Sequence, residues 1–379
     1  MMDPEGRPTH AEKYSTLCHL IAGRMADAHY EEWSSQDWAE LARLAEAEGV
    51  ASLIYWAVSK GPAGILGIPA DIRNWLSRRY YADAAQNALL FSELDKLLGA
   101  FSQAGVPVLI LKGAALARAI YPDPALRPMN DLDLLVRLPD LRIAMRVVRQ
   151  CGYRLMKSTY HIVFQGGKSK SVAIELHWDL IGSSVGQTEG YIERVWERAI
   201  PLGNGDALAR QMHPMDCLLY LCAHLIWQHP QEHARLLWYY DLYLLIQHYG
   251  QGLDWEALAD AALQAGWAGP LYQALVGVER RFGAQHPQGF LVALAGKAPE
   301  SAEVSGVGST RDLRLQRWLW MASNRLPWGL RLRVWLGFLL PDPAYMRWRY
   351  QPRAGWLLPA YYPLRWWLLL RDGLASRMK

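Results

Sequence analysis

The spacing of apolar residues along the chain predicts helices first, then a mixed α/β segment, then helices again. In the first hundred residues the apolar positions recur with helical spacing, as at Leu90, Leu94 and Leu97. Gly105 follows this stripe, at the place where a left-handed C-cap ends many helices. We therefore predict an N-terminal helical region over residues 1–104.

After Gly105 the pattern changes to short β-branched and leucine-rich runs. One of them, DLDLLV, starts with alternating polar and apolar positions, as a half-buried strand does. In chain order the pattern predicts a strand at 106–111, a short helix at 114–121, a strand at 131–136, an amphipathic helix at 139–153 and a β-hairpin over 159–180. These elements predict a small mixed β-sheet within residues 105–184.

The remainder of the chain is predicted to be mainly helical. Helical spacing returns over residues 185–300, most clearly in HPMDCLLYLCAHLIWQH and ARLLWYYDLYLLIQHYG. Prolines interrupt residues 301–379 and exclude one long helix there, because proline lacks the amide donor of the helix ladder. The predicted fold class is α+β, with a small mixed sheet flanked by N-terminal helices and a mainly helical C-terminal region.

The end of the chain differs from the rest in charge. Residues 311–379 hold 12 arginines and one lysine against three aspartates, a net charge of +10. The whole chain carries +4, so the first 310 residues carry −6, and eight of the 18 tryptophans lie in the basic segment. Such a surface suits anionic lipid or a lipid-linked substrate, single-stranded nucleic acid, or packing against the protein with the arginines in solvent. No nucleic-acid-binding motif occurs, so a nucleic-acid partner is the least favoured of the three.

Targeting features and cysteine usage indicate the compartment. Neither a run of 18 apolar residues nor a signal-peptide pattern occurs in the sequence. The four cysteines form no C-x-x-C pair, which favours reduced thiols. We expect a cytoplasmic protein, with peripheral membrane contact through the basic segment as an alternative.

Two aspartates in the apolar run at 131–136 are the first candidate for chemistry. Asp131 and Asp133 point to the same face of a strand, so their negative charges lie close together. Burying carboxylates without a partner is unfavourable. A divalent cation would relieve their repulsion and provide that partner. Glu175 and His177 share the polar face of the second hairpin strand and add a third carboxylate and an imidazole. Hard ions such as Mg²⁺ prefer these carboxylate oxygens. The alternative is a capped turn or an edge strand with its acidic face in water.

The residues before the acidic strand suggest a phosphate site. Lys112 and Gly113 end a buried strand directly before a helix, where free amides attract phosphate. Arg127, on a proline-rich loop, can either bind a phosphate or anchor the loop through a salt bridge. His177 can orient Glu175, contact a phosphate, take part in proton transfer or simply be hydrogen-bonded. For Lys112 the alternative is a lysine that extends to solvent at a strand end.

Histidines and an aspartate also lie inside the second helical part. His224 and Asp241 each occupy the middle of an apolar helix, and we predict that they hydrogen-bond across a helix hairpin and line an acceptor pocket. A zinc site is disfavoured there, because the histidines and cysteines lack the i, i+4 spacing of helical zinc ligands.

Several of these motifs, in this order, resemble the DNA polymerase β-like nucleotidyltransferase superfamily and, more narrowly, the bacterial family of uncharacterised nucleotidyltransferases. The resemblance covers residues 85–250. It is carried by LKGAAL at 111–116, Tyr121, Arg127, NDLDLLV at 130–136, CGY at 151–153, IELHW at 174–178, the HxxxxH run at 224–229 and YYDL at 239–242.

The resemblance implies a catalytic core over residues 105–184 that uses two Mg²⁺ ions, or Mn²⁺, and a nucleoside triphosphate. It implies that Asp131 and Asp133 bind both ions, and that Glu175 completes one metal site and helps to deprotonate the acceptor hydroxyl. One departure is Ala114, where much of the superfamily has a second glycine or a serine, so the hydroxyl contact to phosphate is missing and Lys112 is its substitute.

The expected function is therefore transfer of a nucleoside monophosphate to a hydroxyl of a small molecule, sugar, peptide or protein, as in natural-product or polysaccharide tailoring. Two alternatives remain open at this point. One is a catalytically inactive, membrane-peripheral binding or assembly module. The other is a phosphotransferase or phosphohydrolase that uses the same carboxylates.

Overall fold

The computed structural model describes most of the chain up to residue 297. Within residues 8–297 the gaps are 25–26, 29, 31–32, 61–67, 159–160, 167–171, 182–187, 203–207 and 229–233. Beyond this part the described residues are 332, 339–340, 346 and 354–367. Most of the basic segment at 311–379, and the histidine at 229, therefore lie outside the described residues.

The N-terminal part is helical, as predicted. Its helices are α1 (His10–Ile21), α2 (Ser35–Ala47), α3 (Ala51–Lys60) and the 34-residue α4 (Ala70–Gln103). Thr9 and Ser34 begin α1 and α2 with reciprocal capping boxes, in which the side chains satisfy amides that have no partner within the helix. Gly105 follows α4 with φ 67°, in the left-handed region that terminates a helix.

Within the residues that the structure describes, the strands form a seven-stranded mixed sheet. They are β1 (Val108–Ile110), β2 (Asp131–Leu135), β3 (Tyr153–Ser158), β4 (Ile162–Gly166), β5 (Val172–His177), β6 (Ile200–Pro201) and β7 (Ala209–Gln211). Their order in the sheet is β3-β4-β5-β2-β1-β7-β6. Because β7 pairs in parallel with β1, the sheet continues beyond the boundary predicted at residue 184.

The remaining described helices complete an α+β fold, which confirms the predicted fold class. They are α5 (Lys112–Ala119), α6 (Leu141–Gln150), α7 (Thr188–Arg198), α8 (Pro214–Gln228), α9 (Leu236–Tyr249), α10 (Trp255–Ala265), α11 (Ala268–Phe282) and α12 (Phe290–Lys297). The predicted strands at 106–111 and 131–136, the helices at 114–121 and 139–153, and the hairpin all correspond to observed elements. The three strands β3, β6 and β7 were not predicted.

The sheet separates two apolar clusters, and this separation positions the site. Leu132 and Leu134 of β2 pack into one cluster with buried residues of α4 and α6. Leu135 packs on the other side, in a cluster that contains the buried side chains of α8 and α9. Asp131 and Asp133 alternate with Leu132 and Leu134, so both aspartates face the helices α8 and α9.

The described residues bear on the membrane question in one respect. Within the ranges that the structure describes, no helix has both the length and the apolar character that crossing a bilayer requires. Trp356 and Trp367 near the end of the chain are 79% and 57% exposed. The predicted role of the basic segment in membrane contact remains a prediction.

Candidate active site

The pairing of β2 with β5 brings the predicted acidic residues together. The two strands are parallel, and their register places Asp133 opposite Glu175 and Asp131 opposite Ala173. Opposed residues in a sheet project to the same face, so all three carboxylates lie on the face that is directed at α8 and α9. The proposed metal site requires these carboxylates to lie together, and the sequence pattern alone could not show that the two strands pair.

Asp133 is the best-connected carboxylate of the site. Its side chain is buried, and its Oδ1 atom accepts a hydrogen bond from Lys112 Nζ at 2.7 Å. The same atom lies 2.8 Å from His177 Nε2. Burial favours the neutral acid, but the Lys112 charge and the His177 hydrogen bond outweigh it and hold the pKa of Asp133 well below its usual range. Asp133 is therefore an anion at neutral pH.

Asp131 has a different environment at the exposed start of β2. Loss of hydration to the surrounding protein atoms, together with the negative charges of Asp133 and Glu175, raises the pKa of Asp131 to about 7. The three carboxylates thus repel one another in the absence of a cation. A divalent cation among them would lower this repulsion.

Glu175 lies between two buried histidines. Its Oε1 atom is 3.4 Å from His161 Nε2, and its Oε2 atom is 3.7 Å from His177 Nε2. The two imidazole rings are tilted against each other with centroids 5.2 Å apart. Burial opposes ionisation of Glu175, but the hydrogen bond from His161 prevails and lowers its pKa. For His177, burial is the main influence and lowers its pKa, so its ring is neutral at neutral pH.

His161 was missed in the sequence analysis, although a signal for it was present. It directly precedes β4, and β4 pairs antiparallel with β5 so that Val163 lies opposite Glu175. Extending this register by two residues puts His161 opposite His177, on the same face as Glu175. Aligning the two strands of the predicted hairpin would have identified a second histidine beside the glutamate.

The donor atoms of this cluster fit a metal ion. Ligand atoms of Asp133, Glu175 and His177 all lie within 4.8 Å of one another, and among the described residues they form a candidate metal-binding group. Carboxylate oxygens suit Mg²⁺ and Mn²⁺, and the imidazole adds a nitrogen donor that Mn²⁺ accepts more readily than Mg²⁺. Asp131 is outside this group of three. The predicted set Asp131, Asp133 and Glu175 therefore remains a prediction.

Lys112 stands at the junction of β1 and α5 in an unusual conformation. Its φ is 48°, in the left-handed region, which costs a non-glycine residue about 1 kcal/mol. The backbone amide of the preceding Leu111 donates to the Asp133 carbonyl at 2.9 Å, so the lysine and the acidic strand are tied together twice. The ammonium group is directed at Asp133 and does not extend to solvent, its side chain being 15% exposed.

Gly113 is required by a close approach. A Cβ atom at this position would lie 2.6 Å from Arg127 Nη1 and 3.1 Å from Met129 Sδ. Sequence reasoning assigned the glycine to close approach of a phosphate, and the structure shows that a guanidinium occupies the space beside it. Phosphate binding by Lys112 and Gly113 remains a prediction.

Arg127 forms the salt bridge that was the alternative to phosphate binding. Its Nε atom donates to Asp241 Oδ1 at 3.1 Å and its Nη2 atom donates to Asp241 Oδ2 at 2.8 Å. The Tyr121 hydroxyl donates to Asp241 Oδ1 at 2.7 Å. Both charged residues are buried, so the pair ties the loop before β2 to α9. On the loop's other side, Asn87 of α4 donates to the Arg127 carbonyl at 2.9 Å.

A comparison with protein families identifies the family of the chain. The model of the family described as uncharacterised nucleotidyltransferase matches residues 34–283. The chain belongs to this family. No curated protein and no solved structure matched the chain.

The match to the uncharacterised nucleotidyltransferase family covers the whole site. It begins at the N-cap of α2 and ends just after α11, so it includes the seven described strands and the helices on both sides of the sheet. The basic segment at 311–379 lies outside it. Membership supports nucleotidyl transfer as the general activity, and every residue predicted for the site is within the family domain.

The predicted acceptor pocket is less well defined in this nucleotidyltransferase. Asp241 contacts Arg127 and Tyr121, two residues that sequence reasoning did not pair with it, while the His224 ring lies 5.9 Å from the ring of Tyr220. A mainly apolar cavity of about 70 Å³ lies nearby, and Lys112 and Cys217 are among its lining residues. The His224–Asp241 pair as the floor of an acceptor pocket remains a prediction.

Proposed function

We propose that this nucleotidyltransferase uses two Mg²⁺ ions, with Mn²⁺ as a substitute, to transfer a nucleoside monophosphate from a nucleoside triphosphate to a hydroxyl group. The proposed acceptor is a small molecule, sugar, peptide or protein. The observation that carries the proposal is the register that sets Asp133 beside Glu175 within the family domain, with Asp131 on the same face. The general activity follows from the family; the metal, the nucleotide and the acceptor are proposals.

Asp131, Asp133 and Glu175 would hold the ions, with His177 as a further donor to the site. When bound, such ions neutralise the phosphates and stabilise the attacking and leaving oxygens of an in-line displacement. Among the carboxylates, Asp133 has the most strongly lowered pKa and Asp131 a raised one. We assign Asp133 as the permanent anion of the site.

Glu175 is the group we assign to removal of the acceptor proton. Its carboxylate lies between His161 and His177, and its pKa is lowered, so it is ionised and held in place before the acceptor arrives. A positioned carboxylate can take up a proton when it is within hydrogen-bond reach of the acceptor hydroxyl. His161 and His177 act as positioning residues in this scheme.

Lys112 and the amides at the start of α5 are assigned to the phosphate groups. A helix N-terminus presents free N–H groups to an anion, and the Lys112 ammonium lies at the same end of the helix. Arg127 serves a different purpose in the proposal, because its buried bond to Asp241 fixes the loop from which β2 begins.

Product analysis tests the proposed reaction. The full-length protein, incubated with Mg²⁺ and each nucleoside triphosphate, is expected to release pyrophosphate in the presence of an acceptor. Release of a nucleoside diphosphate or of orthophosphate would instead establish a phosphotransferase or a phosphohydrolase. The mass added to the acceptor identifies the nucleotide that was transferred.

Ligand binding tests the alternative of an inactive module. Mg²⁺ with a nucleoside triphosphate is expected to raise the melting temperature of the wild-type protein, and the double variant Asp131→Asn, Asp133→Asn is expected to lose this shift. No shift in the wild type with any of the common nucleotides would contradict the proposal. Liposome flotation with and without residues 311–379 tests whether the acceptor is lipid-linked or the protein binds a membrane surface.

A further inference from the structure

A buried tyrosine next to the candidate site has a hydroxyl group that the fold does not use. Tyr220, on α8, is 1% exposed, and among the described residues its hydroxyl oxygen has no hydrogen-bond partner. A buried hydroxyl without a partner loses its hydration with no compensation. Such a group in a native fold needs an explanation, and a hydrogen bond that forms in another state of the protein supplies one.

Tyr220 lies on the side of α8 that faces Lys112. Cys217, one helical turn before it, lines the same cavity as Lys112. Burial raises the pKa of Tyr220. The positive charge of Lys112 opposes this rise and is the largest influence after burial. The hydroxyl therefore stays protonated and is close to the ammonium group in a poorly hydrated space.

Lys112 meanwhile occupies a position that a metal ion needs. Its ammonium and the His177 ring both contact Asp133 Oδ1, at 2.7 and 2.8 Å. A cation bound to Asp133 would be repelled by an ammonium so close to its ligand. This repulsion favours movement of the lysine away from Asp133 when a metal binds, and a buried ammonium then needs a new partner.

We propose that Tyr220 is that partner: when a divalent cation binds Asp133, the Lys112 ammonium moves from the carboxylate and donates a hydrogen bond to the Tyr220 hydroxyl. Lys112 thus compensates the charge of Asp133 until the ion arrives, and Tyr220 stabilises the metal-loaded arrangement as a positioning residue. The four-carbon stem of lysine allows this movement without a change in the backbone. The inference rests on the proposed function, because it assumes that Asp133 is a metal ligand.

A double-mutant cycle on metal affinity tests the inference without any measurement of activity. Mn²⁺ binding to the full-length protein is followed by electron paramagnetic resonance in the wild type, Tyr220→Phe, Lys112→Met and the double variant. Tyr220→Phe is expected to weaken Mn²⁺ binding about fivefold, the equivalent of about 1 kcal/mol for one lost hydrogen bond. Lys112→Met is expected to strengthen Mn²⁺ binding, and in that background Tyr220→Phe is expected to have no effect.

The control and the contradicting outcomes are distinct. Tyr153→Phe removes a buried hydroxyl that donates to Glu93 at 2.9 Å in the other apolar cluster, and it is expected to leave Mn²⁺ affinity unchanged. An equal loss from Tyr220→Phe with and without Lys112 would show a merely structural role and overturn the inference, as would no loss in either background. Failure of the wild type to bind Mn²⁺ at all would instead contradict the proposed function.

Discussion

Two buried acidic centres on the same side of the sheet show how one residue pattern can lead to different roles. At Asp241, Arg127 engages both carboxylate oxygens and Tyr121 adds a third bond, so the charge is fully compensated by fixed partners. At Asp133, a lysine and a histidine converge on a single oxygen, and two further carboxylates lie nearby. The first arrangement ties the loop before β2 to α9, whereas we propose that the second exchanges its lysine for a metal ion.

The same contrast applies to the two cations. Sequence reasoning considered both Lys112 and Arg127 for phosphate binding, with a salt bridge that anchors the loop as the alternative for Arg127. Arginine forms a planar, bidentate contact that is well suited to a permanent buried pair, whereas lysine is a point charge on a flexible stem. In the structure Arg127 is held in a buried salt bridge with Asp241, and Lys112 contacts Asp133. We therefore expect substitutions at the Asp133 centre to affect mainly activity, and those at the Asp241 centre to affect mainly stability.

The largest effect is expected at the centre assigned to chemistry. Asp133→Asn should lower the rate of pyrophosphate release about 10,000-fold or more, because it removes the charge that the metal ion needs while preserving the shape of the side chain. Its melting temperature should fall as well, because the buried Lys112 ammonium loses the charge of its partner. A variant that is folded and still active would show that Asp133 is not a metal ligand.

At the Asp241 centre the main effect of a substitution should be on stability. Arg127→Met leaves a buried, uncompensated carboxylate, and we expect the free energy of unfolding to fall by about 3–5 kcal/mol. Urea denaturation of the full-length protein measures this loss. The matched control is Arg118→Met, whose partner Asp95 lies at the surface, and its loss should be no more than about 1 kcal/mol. Equal losses in the two variants would contradict a stabilising role for the Arg127–Asp241 pair.

A smaller effect on activity is expected from the histidine beside the proposed base. His161→Phe should lower kcat about 10- to 100-fold, as the loss of a positioning partner of a ligand usually does, with little change in KM for the nucleotide. His161→Gln retains a hydrogen-bond donor and should recover part of the rate. If the two variants lose the same activity, His161 acts through packing and not through its bond to Glu175.

The smallest effect is expected from the hydroxyl that completes the Asp241 centre. Tyr121→Phe removes one of three hydrogen bonds to the carboxylate, so the free energy of unfolding should fall by about 1 kcal/mol. Tyr81→Phe, at a tyrosine that is 63% exposed, is the control and should have almost no effect. A loss from Tyr121→Phe as large as that from Arg127→Met would mean that the hydroxyl, and not the guanidinium, stabilises the buried charge.

Much of the local structure follows from the sequence. The strand at 131–136, the helix at 139–153 and the hairpin were predictable because their apolar spacing is strong and they end at clear turn signals. The strands β6 and β7 were not, since they comprise two and three residues and gain their stability from pairing, β7 with β1 and β6 with β7. The strand β3 lies between the predicted helix at 139–153 and the predicted hairpin at 159–180, in residues that, apart from Tyr153, were assigned to no element.

The family domain and its acidic face were also within reach of the sequence. Side chains alternate along a strand whatever surrounds it, so Asp131 and Asp133 had to share one face, and Glu175 and His177 another. Only the tertiary structure decided that these two strand faces lie on the same side of the sheet, because the pairing of β2 with β5 joins segments more than 35 residues apart.

Tertiary structure likewise decided the roles of single residues. A local pattern indicates the charge of a side chain and the face on which it lies. It does not indicate which of Lys112, Arg127, His161 and Tyr220 lies near Asp133, Glu175 or Asp241. Those contacts depend on how α8, α9 and the loop before β2 pack against the sheet. The packing of distant segments depends on the whole apolar core, which a local pattern does not describe. For that reason the sequence determined which residues belong to the site, and the fold determined what each of them contacts.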